Sequence, residues 1–261
     1  MIGANNIGNA GRMGNQLFQF ASLVGIARKN QYDYCIPSNK TNAHQVLEGC
    51  FKLPNIKFGC IEGKMVKESR LVLLEDNTWL HGHFEDYRLF ENVEDEVRNN
   101  LVFHDHIKAQ AINYFESRNI NHAIAVVVRR GDFLQLMNCH PVCKIEYYNN
   151  CLAQINNQNK RQIIIISDDI KWCKKNFKQP NIHFLDFAPP NIEKQYFDLC
   201  VGSMCDDYVI SNSTFAWWIA WLGRKSCKKV LIPDPWFGKR YRKKNTDGLY
   251  LPNWQRVARE I

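Results

Sequence analysis

The chain of 261 residues lacks any apolar run near the ~18 residues that cross a bilayer. Its start, Met1-Ile2-Gly3-Ala4-Asn5-Asn6, has neither the basic residues nor the apolar stretch of a secretory signal. Together these absences predict a soluble, cytoplasmic protein. Paired C-x-x-C knuckles are missing as well, although there are ten cysteines. Cys35, Cys50, Cys60, Cys139, Cys143, Cys151, Cys173, Cys200, Cys205 and Cys227 are scattered, which argues against structural zinc and reads as reduced, buried thiols. Cys139-His140 with Cys143 is a metal fragment without an evident fourth ligand. Neither G-x-G-x-x-G nor a P-loop occurs, so the two commonest phosphate loops are excluded. There is no internal repeat and no low-complexity segment.

What is present is ordinary globular material. A hydrophobic share of 45% with 23% charged residues supports a folded chain of one large domain or two compact ones. The formal net charge of +8 points to an anionic partner. Nucleotide-sugar diphosphates, acidic glycans, membrane surfaces and nucleic acid all fit that charge. Nucleic acid is set aside because no recognised interleaving of aromatic and basic residues appears. The densest basic run holds Lys239, Arg240, Arg242, Lys243 and Lys244. It reads as a solvated face, with peripheral contact to an anionic membrane as the functional alternative.

Residues 32–70 are broken by Pro37 and Pro54 and read as short strands and loops. Helical spacing returns over 107–118, with Ile107, Ala111, Ile112 and Phe115 on one face. Beyond it, apolar runs at 124–128, 163–166, 182–185, 208–210 and 230–232 show no clear alternation, as in parallel strands covered on both faces. Helical segments are expected between them at 145–156, 170–176, 192–204 and 215–222. The C-terminal half therefore reads as a doubly wound α/β unit.

Three loops leave these strands with polar cargo. Arg129-Arg130-Gly131-Asp132 ends the first run, Ser167-Asp168-Asp169 the second, and Ser211-Asn212-Ser213-Thr214 precedes the helix that begins near Phe215. In one parallel sheet the carboxyl ends converge on one crevice, the usual ligand position of open α/β sheets. Two arginines suit phosphate oxygens, while Ser213, Thr214 and a helix N-terminus offer neutral donors. Asp168 or Asp169 has the acceptors for a guanine edge. Taken singly, the second and third loops also read as plain helix caps.

The N-terminal half holds two further motifs. Gly11-Arg12-Met13-Gly14-Asn15-Gln16 opens an apolar helix, where glycines admit close approach and the helix end favours anions. A plain turn is the structural alternative. Trp79-Leu80-His81-Gly82-His83-Phe84-Glu85-Asp86-Tyr87 places two histidines and two carboxylates beside aromatic rings, a pattern that suits sugar binding and proton transfer. A surface strand with neutral histidines accounts for it equally well.

These pieces resemble glycosyltransferase family 11, the α-1,2-fucosyltransferases that use GDP-fucose. The resemblance rests on Gly11 to Ala21, Arg129 to Phe133, Ser167-Asp168-Asp169 and Ser211-Asn212-Ser213-Thr214-Phe215-Ala216-Trp217-Trp218, with weaker echoes at Gly82-His83-Phe84, at His140 to Tyr148 and in the tail. It implies an α/β, GT-B-like fold of two Rossmann-like lobes, the N-terminal one reduced. The lobes are expected at 1–120 (acceptor side) and 121–240 (GDP-sugar side), followed by a basic segment and tail at 241–261. It further implies an inverting transfer of L-fucose to a galactose-containing glycan, with no metal or other cofactor. Catalytic roles fall on Arg129, which engages the β-phosphate, on Asn15 and on Asp132. Donor contacts fall on Gly11, Gly14, Arg130, Ser167, Asp168, Asp169, Asn212, Ser213, Thr214 and Phe215. Acceptor contacts fall on His81, His83 and Glu85. Asp132, His83 and Glu85 are the candidate bases, Asp132 serving alternatively to lock an arginine.

Two positions depart from the resemblance. A His is expected two residues before the arginine pair, and Val127 stands there. Ile7-Gly8-Asn9-Ala10 replaces the apolar run expected before the glycine loop. These departures leave room for another GDP-deoxyhexose, another acceptor, or a weakened binding relative.

Overall fold

The computed structural model describes residues 1–68, 74–155, 161–223 and 229–259; Cys227 and the last residues of the segments read above at 32–70, 145–156 and 241–261 lie outside them. The chain forms two compact units, residues 1–104 with 247–249, and residues 105–246 with 250–261.

The first unit is a parallel sheet of very short strands: β1 (Ile2–Gly3), β2 (Tyr34–Ile36), β3 (Lys57–Phe58), β4 (Lys64–Lys67) and β5 (Thr78–His81). Their order is β3-β2-β1-β5-β4. The sheet therefore reverses its winding between β1 and β5. The strand that opens the chain is Ile2–Gly3, while Ile7 to Ala10 form turns around Gly8, whose φ is +92°. Helix α1 (Met13–Lys29) is buried from Met13 to Ala27 except at Asn15. It packs against the sheet and the 3-10 turns Tyr87–Leu89 and Glu91–Val93. Two short helices, α2 (Leu47–Cys50) and α3 (Glu94–Asn100), complete the unit.

The second unit begins earlier than the expected boundary at 120. Helix α4 (Asp105–Glu116) buries Ile107, Ala111 and Tyr114, and it packs along helix α7 (Lys194–Ser203) of the second unit. The strands are β6 (Ala123–Val128), β7 (Gln162–Ser167), β8 (Ile182–Phe184), β9 (Asp207–Ile210), β10 (Val230–Asp234) and β11 (Gln255–Ala258). The helices are α5 (Ile145–Ile155), α6 (Ile170–Asn176), α7 (Lys194–Ser203) and α8 (Thr214–Leu222). All strand pairs are parallel, in the order β11-β10-β9-β6-β7-β8. Residues 241–261 are thus no separate tail, because β11 closes this sheet beside β10.

Every residue of β6 is buried. Ile124, Val126 and Val128 face a cluster with Tyr147, Tyr148 and Leu152 of α5, which explains why this strand reads as an unbroken apolar run. Because β7 and β8 wind to one side of β6 and β9 to β11 to the other, the winding reverses between β6 and β9. Ligands of such sheets bind outside the strand ends at that reversal.

Gly25 marks a close backbone approach in the first unit. A Cβ there would fall on the carbonyl oxygen of Leu89 and the Cα of Phe90. Gly25→Ala is therefore expected to destabilise the chain by about 1–3 kcal/mol or more, since backbone has to move. The urea midpoint should drop at unchanged slope; an unaltered midpoint would refute this contact.

Candidate active site

In the first unit, polar residues cluster at the β1/β5 reversal. Asn15, Gln19 and Ser22 recur at helical spacing on α1, and all three reach the segment after β5. The amide of Asn15 donates to Glu85 at 2.9 Å and lies 3.5 Å from His83 Nδ1. Gln19 donates to the carbonyls of Ala10 and Gly82, and Ser22 to that of Phe84. Phe84 itself is buried in the left-handed region at φ +53°, which turns the chain so that His83 is exposed and Glu85 half-buried. The His83 amide donates to Glu68 at 3.0 Å, and His81 Nδ1 meets the Asn6 amide at 3.0 Å.

Gly11 has φ +85°, and a Cβ there would crowd Asn15 at 2.6 Å. Its glycine thus makes room for Asn15. Gly14 is buried in the first turn of α1, which has no side-chain cap. Gly11, Gly14, Asn15, His81, His83 and Glu85 all belong to the first unit. The remaining sequence-derived site residues belong to the second.

In the second unit the arginine pair leaves β6 into a set of carboxylates. Arg129 pairs with Asp132 through Nη2 and with Asp168 through Nη1, the latter at 2.6 Å. Asp168 also accepts the Arg130 amide at 2.8 Å. Arg130 Nε lies 3.1 Å from Asp169, and its guanidinium stands 4.0 Å above the ring centroid of Trp172. Asp169 in turn caps α6 by accepting the Trp172 amide at 3.1 Å, while Ser167 accepts the Asp169 amide at 2.9 Å. The cap reading of Ser167-Asp168-Asp169 is therefore what forms. The same carboxylates hold the arginines. Trp172 went unnoticed in the sequence; its place three residues after a capping Asp was the available signal.

The loop after β9 divides its residues. Asn212 is buried, donates to the carbonyls of Pro141 and Trp236 at 3.0 Å each, and accepts from the Cys143 thiol. Its amide clips two neighbouring loops together. Ser211 is fully buried, and its hydroxyl has no partner among the described residues. Ser213 makes no side-chain cap to α8, and Thr214 and Phe215 are half-buried at the start of that helix. This end carries the positive pole of the helix dipole. Val127 lies in register between Ile166 and Ile210 and is 4% exposed. An imidazole at that position would enter an apolar row.

A layer of rings follows the arginine loop. His140 stacks on Phe133 at 5.0 Å and meets Phe237 and Tyr241 edge-on, while Arg129 stands 5.2 Å above Phe133. Burial lowers the pKa of His140, and the charges of Lys244 and Arg129 add to this against Asp132. The basic run is anchored here by backbone bonds from Gly238 to Cys139 and from Arg240 to Asn138. Of the described cysteines all but Cys60 are buried, and burial raises Cys143 and Cys151 to about 12. Among the described residues, no three His, Cys, Asp or Glu side chains are grouped to hold a metal ion.

Two arginines and a helix end without a side-chain cap thus stand at the reversal of a doubly wound α/β unit. The model of Glycosyl transferase family 11 matches residues 1–258, and the chain belongs to that family. It is similar to the O-antigen biosynthesis glycosyltransferase WbnK of Escherichia coli, with 25% identity over 91% of this chain and 96% of the relative. An alpha-1,2-colitosyltransferase of Escherichia coli is 29% identical over 44% of this chain and 41% of its own. The galactoside alpha-(1,2)-fucosyltransferase 1 of Bos taurus is 22% identical over 96% of this chain and 75% of its own. The fold is shared with the fucosyltransferase NodZ from Bradyrhizobium, at TM-score 0.56 and 13% identity over 85% of this chain and 92% of that one. NodZ alpha-1,6-fucosyltransferase co-crystallised with GDP gives a TM-score of 0.58 at 15% identity, over 85% and 92%. The GT-B-like α/β class expected from the sequence is therefore the class observed.

Gly131 supplies the test of the carboxylate cluster. A Cβ there would fall on Asp168 Oδ2, the atom that holds Arg129. Gly131→Ala should leave the melting temperature nearly unchanged yet lower transfer at least about tenfold, because a misplaced donor forfeits transition-state stabilisation. Full activity in that variant would show that Asp168 does not set the arginine geometry.

Proposed function

We propose that the protein transfers L-fucose from GDP-fucose to O2 of a β-galactoside, with inversion and without a metal ion. The observation that supports this reading is the arginine pair at the end of β6 together with the N-terminus of α8, which has no side-chain cap and follows the neighbouring strand β9. Breaking the sugar–phosphate bond leaves charge on the departing GDP, and each preorganised donor aimed at it contributes about 2.7–4 kcal/mol. Arg129, Arg130, Ser213, Thr214 and Phe215 form the donor side. A 6-deoxy sugar lacks one electron-withdrawing hydroxyl, which eases an oxocarbenium-like transition state. The demand on a base is correspondingly lower. With Asp132 engaged by Arg129, the acceptor proton goes to Glu85 or His83, which Asn15 holds in place beside one another. His81 completes the acceptor side.

A second reading keeps this chemistry and changes the sugar to another GDP-deoxyhexose. Its support is the partial match to a relative named for colitosyl transfer, together with the apolar Val127.

Incubation with GDP-fucose and a lactose-type acceptor in EDTA should release GDP and form an α-1,2-fucosylated product. Release that needs an added divalent ion would overturn metal independence, and release without acceptor would reduce the reading to donor hydrolysis. Since Arg129 ties Asp132 and Asp168 together, Arg129→Ala should lower kcat by about 100-fold or more while the fold stays intact.

Lys239, Arg240, Arg242, Lys243 and Lys244 are exposed, and the backbone bonds above set them beside exposed Leu134, Leu136 and Met137. We include contact with an anionic membrane surface in the proposal. The protein should co-sediment with phosphatidylserine-containing vesicles and stay in the supernatant with purely zwitterionic ones. Equal behaviour toward both would remove this part.

A further inference from the structure

Strand β5 has two unlike faces. Thr78 and Leu80 are buried, whereas Trp79 and His81, which alternate with them, are half-buried. The two rings therefore share the more open face of the first sheet. Parallel pairing sets Met65 of β4 beside Trp79 and Lys67 beside His81. Met65 is 41% exposed, and Lys67 is exposed as well. On the other side of Trp79 the register partner is Gly3 of β1. Ile61 fills the space over that glycine, since a Cβ on Gly3 would come within 2.7 Å of Ile61 Cγ1. An indole flanked by an exposed thioether and an aliphatic side chain makes an apolar floor at the surface.

Two consecutive amides fix the border of this floor. Asn5 holds Ile61 by both backbone groups, donating to its carbonyl at 2.7 Å and accepting its N–H at 2.9 Å. Asn6 donates to Nδ1 of His81 at 3.0 Å. An amide nitrogen only donates, so Nδ1 accepts and the proton of the neutral imidazole lies on Nε2. Among the described residues no hydrogen bond engages that Nε2 or the indole Nε1 of Trp79, and neither atom is among the buried polar atoms without a partner. Both N–H groups thus reach solvent. The imidazole stands edge-on to the indole, at 6.1 Å between centroids and 85° between planes.

A flat ring bordered by two donors matches a pyranose. A hexose chair shows C–H groups on one face and hydroxyl oxygens around its rim. The first suit an aromatic face, and the second accept from N–H donors. The patch is continuous with the residues proposed for the reacting sugar, because His81 ends β5 two residues before His83. Two strand residues span about 6.6 Å, which sets Trp79 roughly one pyranose beyond His81.

We propose that Trp79, with His81 at its edge, forms a subsite for the second sugar of the acceptor, the one that carries the reacting galactoside, an inference that rests on the acceptor-side reading of His83 and Glu85. The subsite makes the chain select a disaccharide or longer glycan over a single galactoside. Trp79 is then a specificity-determining residue and takes no part in bond breaking.

Titration of methyl β-galactoside and of methyl β-lactoside, followed by nuclear magnetic resonance with GDP present, isolates the second sugar. The wild-type chain should bind the disaccharide about tenfold more tightly, the value of one aromatic contact with a hydrogen bond. Trp79→Ala should shrink that preference about three- to tenfold, and Trp79→Phe should retain most of it, because a ring face remains. His81→Gln keeps an N–H donor and should retain more of the preference than His81→Ala. Partial unfolding weakens both sugars together, so their ratio separates a lost contact from lost structure. A Trp79→Ala protein with the full preference overturns the subsite. A wild-type chain that binds both sugars equally does the same and leaves the transfer reading in place. Binding of neither sugar sinks the acceptor reading, and the inference falls with it. A disaccharide preference lost in Trp79→Ala, in a chain that does not turn over GDP-fucose, upholds the subsite and sinks only the transfer.

Discussion

Two guanidiniums on consecutive residues repel each other, and a protein that places them at the end of a buried strand has to hold them still. Here three carboxylates do so. Asp132 and Asp168 share Arg129, Asp169 takes Arg130, and Asp168 also accepts the Arg130 amide. Much of the local sequence follows from that requirement. Gly131 has no side chain because one would strike Asp168, and Ser167 accepts the Asp169 amide so that the carboxylate faces the arginine. The long apolar register of β6 with β7 then brings both loops to the same height.

The same principle recurs in the first unit with neutral partners. Its sheet reverses between β1 and β5, and α1 leaves β1 through a glycine-containing loop. Asn15, Gln19 and Ser22 then bind the segment that leaves β5. One unit orients charges by countercharges, the other by amides and a hydroxyl that reach backbone carbonyls and the Glu85 carboxylate. In each case the polar cluster lies where the winding changes direction, because only there do two neighbouring strand ends open a crevice.

The second sheet was legible in the sequence because its strands are buried on both faces. Runs such as 163–166 admit few other readings, and the structure extends four of the five by a residue or two while ending 182–185 at Phe184. The first sheet was less legible for the opposite reason. Strands of two to four residues, some of them exposed such as Lys57–Phe58, carry no periodicity to read. The edge strand Gln255–Ala258 was missed because only Val257 is buried in it. Helix α4 has a clear apolar face, but amphipathicity does not say which sheet that face meets. At the site, residue types were easier to find than roles. Asn212 clips two loops and Asp168 holds an arginine, yet the same side chains in the same loops would serve equally well as ligand contacts. Only the direction of each hydrogen bond separates the two.

Trp172 has one more consequence. Of the seven tryptophans, Trp217, Trp218, Trp221, Trp236 and Trp254 are buried, while Trp79 and Trp172 are half-buried. The indole beneath Arg130 therefore sits against a fixed positive charge and within reach of solvent, whereas most of its counterparts sit in apolar surroundings. An anion that draws on that guanidinium alters the field across the ring. The chain thus carries an intrinsic optical reporter at the one place where its charge state is expected to change.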